Sequence, residues 1–208
     1  MMKIRTRPAT AYLGLMATAL VLAAGSARAY PPAVGILTDS RSCTSCHTSN
    51  GPWGDESRTI VDLLDGATRR SLRQADGRFL LQVERGRTAT VLTVIGRAQG
   101  DALPPPVRNA WLYIDPTQLG STSLSKFAPG WDVNLPISCR LVGDAVAEYP
   151  GAALTALPMT VRPGDAARNA ELELQIMLTS GGPGKGNPDT WLQSNFLVRT
   201  LVLEVQDK

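Results

Sequence analysis

The side chains of this sequence that could do chemistry lie together in residues 43–47, which read Cys-Thr-Ser-Cys-His. Two thiols three positions apart, followed directly by an imidazole, are compatible with a redox disulfide, half of a zinc site or an anchor for haem. These three uses require different partners and a different structural context. The rest of the chain therefore decides between them.

The disulfide and the zinc site need a context that the chain does not offer. A thioredoxin-like cysteine pair follows a strand in a βαβ unit, whereas residues 30–42 contain two prolines and predict no strand. A tetrahedral zinc site would need Cys139 as its fourth ligand, because His47 is the single histidine of the chain. Cys46 and His47 are also adjacent, which is an awkward spacing for two ligands of one ion.

Covalent haem attachment uses the same five residues without a further partner. Two thiols at this spacing can bind the vinyl groups of the porphyrin, and the histidine that follows is then the proximal ligand of the iron. In this respect residues 43–47 resemble the c-type cytochromes. The resemblance implies that Cys43 and Cys46 carry the thioether bonds to one haem c and that His47 is an axial ligand.

The N-terminus predicts export, which this kind of attachment requires because it takes place outside the cytoplasm. Three basic residues precede an apolar run over residues 11–24, and a small-residue triplet ends residues 1–29, as in a cleavable signal peptide. The run has 14 residues, fewer than the ~20 that span a bilayer. We therefore expect cleavage before Tyr30, a periplasmic mature chain and no membrane anchor.

Removal of residues 1–29 changes the charge balance. The chain has 21 basic and 18 acidic residues; four of the basic ones lie in the signal segment, which leaves 17 against 18 and a net charge of −1. This balance argues against nucleic acid or an anionic membrane as a partner. The resemblance to the c-type cytochromes implies redox proteins as partners. The remaining 179 of the 208 residues suffice for one domain with a sizeable core.

After the motif, the spacing of apolar residues predicts a mainly β protein. One short helix is predicted over residues 56–65, with Asp55 as N-cap and Gly66 as C-terminal stop. The pair Asp76-Gly77 predicts a type I′ hairpin turn. Alternating apolar residues predict strands over residues 69–74, 79–84, 88–95, 107–114, 132–142, 157–161, 172–178 and 195–205.

About seven strands between turns rich in Gly and Pro indicate an immunoglobulin-like β-sandwich. We predict a haem-attachment segment with its short helix over residues 30–67 and a β-sandwich over residues 68–208, packed as one compact unit. In outline this resembles cytochrome f, whose mature chain also begins with Tyr-Pro, as Tyr30-Pro31 does here, and whose haem motif also lies near the N-terminus of a β-sandwich. This chain departs from that family in two respects: we expect no C-terminal membrane anchor, and Cys43 follows Tyr30 by only 13 positions.

The second axial ligand of the iron cannot be a histidine, since His47 is the only one. Cys139 lies in residues 133–141, whose alternation places its side chain on an inward, apolar face. It is therefore either a buried small side chain or a thiolate ligand that explains why a third cysteine persists in an exported protein.

Two other groups are alternatives for the sixth position. Met159 follows a proline and offers a thioether, although a methionine there also serves as a core residue. The α-amino group of Tyr30 is the ligand that the resemblance to cytochrome f implies. Met177 alternates with polar residues on its strand, which argues against it. Trp53 lies six residues after His47 and is a candidate for packing against the haem.

Taken together, the motif and the export signal favour a monohaem c-type cytochrome that transfers electrons between redox partners and is not itself an enzyme. A catalytic triad would have to use His47, which the haem already requires. The alternative is the haem subunit of a redox enzyme, or a sensor that binds NO or CO at an open or labile sixth site.

Overall fold

A computed structural model describes residues 42–45, 48–119, 127–181 and 193–207. All of them lie in one compact unit, Ala33–Lys208. The described residues form three 3₁₀ turns, Cys43–Ser45, Glu56–Arg58 and Pro116–Gln118. They also form nine strands: β1 Thr59–Asp65, β2 Phe79–Glu84, β3 Ala89–Arg97, β4 Arg108–Ile114, β5 Trp131–Val133, β6 Ile137–Leu141, β7 Ala153–Pro163, β8 Ala170–Thr179 and β9 Ser194–Gln206. No helix in these ranges is long and apolar enough to cross a membrane.

The strands form two sheets that pack as a β-sandwich, which confirms the predicted fold class. The first sheet has the order β1-β3-β7-β5, and all its neighbours are antiparallel. The second sheet has the order β2-β9-β8-β4-β6, in which only β2 and β9 run parallel. The described residues therefore carry nine strands, against the seven or so that were predicted.

The main core lies between the two sheets. Alternation places Leu63, Val91 and Ile95 of the first sheet opposite Trp111, Leu174 and Leu201 of the second, and all six are buried. Hydrogen bonds also join the sheets. The hydroxyl groups of Thr93 and Tyr113 lie 2.7 Å apart in this core, and Nδ2 of Asn109 in β4 donates to the carbonyl of Ile95 in β3 at 2.8 Å.

A smaller apolar cluster covers the other face of the first sheet. Leu64, Val94 and Leu154 are buried there under Val146, which belongs to the loop between β6 and β7. The hydroxyl of Tyr149 in this loop donates a hydrogen bond to the carboxylate of Asp62 in β1. Both faces of β1 are therefore covered.

The predicted helix over residues 56–65 is wrong. Asp55 does cap a turn, since its carboxylate accepts a hydrogen bond from the amide of Ser57, but the turn ends at Arg58 and Thr59–Asp65 is a strand. This strand pairs with β3 along its whole length. Because both of its faces are buried, its apolar residues show no alternation, which is the pattern that sequence cannot distinguish from a helix.

The predicted strand over residues 69–74 is also wrong, and the turn after it is of another type. Arg69 has a left-handed backbone with φ of +62°. The segment makes only isolated bridges, from Ser71 to β1 and from Arg73 to β2. The turn is closed by the bond from the Gly77 amide to the Gln74 carbonyl, and only its last residue, Gly77, has positive φ. A type I′ turn would need positive φ at both central residues.

The strand predicted over residues 132–142 is two strands in different sheets. Val133 of β5 pairs with Val161 in the first sheet, and Ile137 of β6 pairs with Leu112 in the second. Pro136 lies at the crossing between them, where a continuous ladder would need the amide hydrogen that proline lacks. The sandwich also begins before residue 68, since β1 belongs to its first sheet.

Candidate haem-attachment site

The described part of the motif lies against the second sheet. The amide of Cys43 donates a hydrogen bond of 3.0 Å to Oε1 of Gln175, a β8 residue whose side chain is 2% exposed. Nε2 of Gln175 donates in turn to Oε2 of Glu173 at 2.9 Å. The turn itself is fixed by the Ser42 hydroxyl, which accepts from the amide of Thr44 at 3.2 Å. The first cysteine of the motif is therefore held on β8.

The residues that follow the motif are held on the neighbouring strand, β9. The hydroxyl of Ser194 donates to the carbonyl of Thr48 at 2.6 Å, and the amide of Gly51 donates to the carbonyl of Ser194 at 2.8 Å. The amide of Phe196 donates to the hydroxyl of Ser49 at 3.2 Å. Gly51 has no room for a side chain, since a Cβ there would meet Oδ1 of Asn195 at 2.4 Å.

Cys46 and His47 lie outside the described residues. The thioether bond at Cys46 and the axial role of His47 therefore stay predictions. The structure does describe both flanks of this pair: the turn that ends at Ser45 contacts β8, and Thr48 contacts β9. These two strands are neighbours in the second sheet.

The sheet face that receives the motif is unusual in its composition. We call it the outer face, since it points away from the first sheet. Beside Gln175, which the Cys43 turn contacts, this face carries apolar side chains that are buried or half-buried. We name this group the apolar section: Ala110, Leu112, Ile137, Cys139, Met177 and Phe196. Towards β2 the same face becomes polar and more exposed, with Gln82, Glu84, Glu171 and Glu204.

One cross-strand row of the apolar section brings two sulfur atoms to the same face. Register aligns Cys139 of β6, Ala110 of β4, Met177 of β8 and Phe196 of β9. Neighbouring strands are ~4.8 Å apart, so Cys139 and Met177 are about 10 Å apart across the small side chain of Ala110. The row is therefore apolar, with the small side chain of Ala110 between the two sulfur-bearing residues. An apolar sheet surface with sulfur atoms beside the Cys43 turn is chemically compatible with a porphyrin.

The inward position predicted for Cys139 is wrong. Its side chain lies on the outer face and is half-buried, while Leu141, two residues further along the strand, is 59% exposed. The prediction extended the alternation of β5 into β6, but the two strands belong to different sheets. Cys139 therefore lies on the same face of the second sheet as the Cys43 turn.

Two other predicted site residues, Met159 and Trp53, lie in the main core and not on the outer face. Met159 is 1% exposed in the main core, paired with Val91, so it lies between the two sheets and not on the face that carries the Cys43 turn. Trp53 is 2% exposed in the same core, and its indole donates to the carbonyl of Pro104 at 2.9 Å. It offers almost no surface to a haem on the outer face. Tyr30 lies outside the described residues.

Sequence reasoning missed Gln175 and Met177. Alternation correctly placed Met177 on the same side of its strand as the polar residues. However, this is the side that the Cys43 turn contacts, and Met177 is fully buried there. The sequence did contain a signal. Glu171, Glu173 and Gln175 lie on one face of β8 and are polar, but the next residue on that face, Met177, is apolar. Such a change from polar to apolar along one strand face indicates where that face is covered.

Comparison with known proteins gives no relative on which to base an assignment. No family model matches this chain, and no curated protein matches it.

Proposed function

We propose that this protein is an exported c-type cytochrome that carries one covalently attached haem and passes single electrons between redox proteins. The observation that carries the proposal is the hydrogen bond from the Cys43 amide to Gln175, which holds the start of the Cys-x-x-Cys-His motif on the outer face, next to the apolar section. Residues 1–29 supply the export that this attachment requires.

Each part of the site has a defined role in this proposal. The thiols of Cys43 and Cys46 form the thioether bonds, and the imidazole of His47 binds the iron. The bound haem supplies one-electron redox chemistry. The apolar section excludes water from one side of the site, which favours a low-dielectric environment and tunes the reduction potential. Gln175 and Ser194 hold the chain on either side of the motif.

Cys139 is the residue that we expect to bind the iron opposite His47. Its place on the outer face supports this role, because it lies on the same side of the second sheet as the Cys43 turn. A thiolate is a strong ligand of ferric iron. Met177 offers the second sulfur of the same row, and the α-amino group of Tyr30 is the alternative outside the described residues.

The proposal is tested by exporting the full chain in bacteria that have the haem-maturation machinery. The mature protein should weigh one haem more than the 30–208 polypeptide, and acid–acetone should not extract the colour. The double variant Cys43→Ala/Cys46→Ala is the control and should be colourless. A colourless wild type would falsify the proposal.

The ferrous protein also distinguishes the carrier from the alternative of a sensor or an enzyme subunit. A carrier with both axial positions filled should keep its low-spin spectrum when CO is added. A rapid change of spectrum with CO or NO would show an open or labile sixth site, and would favour the alternative.

A further inference from the structure

Three groups form a hydrogen-bonded chain that runs from β8 to the haem-attachment turn. Glu173 accepts from Nε2 of Gln175 at 2.9 Å, and Oε1 of Gln175 accepts from the amide of Cys43 at 3.0 Å. A carboxylate can only accept hydrogen bonds. Glu173 therefore fixes which end of the Gln175 amide faces the turn, and the oxygen end is presented to Cys43.

We propose that Gln175 is a positioning residue for the haem-attachment turn and that Glu173 lowers the reduction potential of the haem iron through its charge. This inference rests on the proposed function, since it requires a haem bound at Cys43. Gln175 is almost completely buried, so its hydrogen bonds to Cys43 and Glu173 are shielded from competing water. The arrangement therefore fixes both the position of the turn and the position of a negative charge near it.

The sign of the effect follows from the charge of the iron. Oxidation removes one electron and leaves one more positive charge on the haem. A nearby carboxylate stabilises that charge, and an amide oxygen directed at the turn acts in the same direction. Both groups thus favour the ferric state, which lowers the reduction potential.

The chain offers a matched control two residues away. Glu171 lies on the same face of β8 as Glu173 but is further from the Cys43 turn. Its side chain is exposed, and its carboxylate lies 3.8 Å from the guanidinium of Arg78. Solvent and this cation screen its charge, so its removal should affect the iron much less.

The charge is tested with Glu173→Gln and Glu171→Gln in the exported holoprotein. Glu173→Gln keeps an oxygen that can accept from Gln175 and removes the charge. We expect a higher reduction potential in redox titration, with an unchanged visible spectrum and melting temperature, and a smaller change for Glu171→Gln. Equal potentials for the two variants would overturn the role of Glu173.

The positioning of the turn is tested with Gln175→Met. The methionine side chain is similar in size to glutamine but cannot replace its hydrogen bonds to Cys43 and Glu173. We expect less covalent haem per polypeptide than in the wild type, and recovery of the haem content in the double variant Glu173→Gln/Gln175→Glu, which keeps an acceptor for the Cys43 amide and exchanges donor and acceptor between positions 173 and 175. A Gln175→Met protein with wild-type haem content and potential would overturn the positioning role. If the wild type itself lacks covalent haem, the proposed function fails instead.

Discussion

The hydroxyl groups of Thr93 and Tyr113 lie 2.7 Å apart at the centre of the sandwich, one from each sheet, and both side chains are almost completely buried. Burial raises the pKa of Tyr113 far above the ordinary tyrosine value, because the phenolate would lose its hydration. The tyrosine is therefore neutral throughout the physiological pH range, and the pair forms a neutral bond between the sheets.

Removal of one partner should destabilise the protein more than removal of both. Tyr113→Phe leaves the Thr93 hydroxyl buried without this partner, at an expected cost of about 1–3 kcal/mol in the free energy of unfolding. The double variant Tyr113→Phe/Thr93→Val should lose less than the sum of the two single variants. Urea unfolding of the four proteins measures the coupling, and strict additivity would contradict it.

Arg97 and Asp101 should make stability depend on pH in the acid range. The guanidinium of Arg97 lies 2.5 Å from the Asp101 carboxylate, and this hydrogen bond holds the pKa of Asp101 below its ordinary value. The unfolded carboxyl takes up its proton near the ordinary pKa of about 3.9, and the folded one at lower pH. The stabilisation is therefore complete above that value and is lost as the pH falls through the folded pKa.

Asp101→Asn should accordingly be less stable than the wild type at pH 7, and the difference should shrink below pH 4. Urea unfolding at pH 7, 5 and 3 measures it, with the exposed Asp132→Asn as a control that should change little. A difference that stays constant from pH 7 to pH 3 would show that the ionisation of Asp101 is not involved.

Cys139→Ser should change the iron site but hardly affect folding. If the thiolate binds the iron, its loss should alter the ferric spectrum and raise the reduction potential, since thiolate favours the ferric state. Cys139 is only half-buried, so a serine hydroxyl there should cost little stability. Magnetic resonance of the ferric protein identifies the axial pair.

Two comparison variants locate the ligand if Cys139→Ser leaves the spectrum unchanged. Met177→Leu removes the second sulfur of the same cross-strand row. Extension of the mature N-terminus before Tyr30 blocks the α-amino group. The variant that changes the ferric spectrum identifies the ligand.

A large side chain in place of Ala110 should interfere with haem attachment. A phenylalanine at this position would project from the outer face between Cys139 and Met177. We therefore expect Ala110→Phe to reduce the covalent haem content or to alter the visible spectrum. Val202→Phe, on the polar part of the same face, is the control and should keep both the haem content and the spectrum. An Ala110→Phe holoprotein with wild-type haem content and spectrum would show that the haem does not lie over this row.

Strand boundaries could be predicted most accurately from the sequence where one face of a strand is buried and the other is exposed. The strand Phe79–Glu84 was predicted to the residue, because its burial alternates along its length. Thr59–Asp65 was mistaken for a helix, because burial of both faces removes the alternation, and its pairing with β3 is a distant contact. The position of Cys139 depended on a change of sheet near Pro136. The proline was the local signal against one continuous strand, but it does not show that the two halves join different sheets.

The candidate site shows the same limit. The motif was evident from five consecutive residues, but Cys43 and Gln175 are 132 positions apart, and no local pattern links them. Alternation predicts which face of a strand a methionine lies on, but not what covers that face, as Met159 in the main core and Met177 on the outer face show. Alternation correctly assigned Met177 to the face with Glu173 and Gln175, yet only the folded sheet shows that the motif contacts that face.

The strands that hold the motif are the last two of the described chain, β8 and β9. Because Cys43 and Gln175 are 132 positions apart, the long segment between them must fold before the motif can bind to the sheet, which makes this contact a late step of folding. We therefore expect haem attachment, which takes place outside the cytoplasm, to precede the completion of the sandwich.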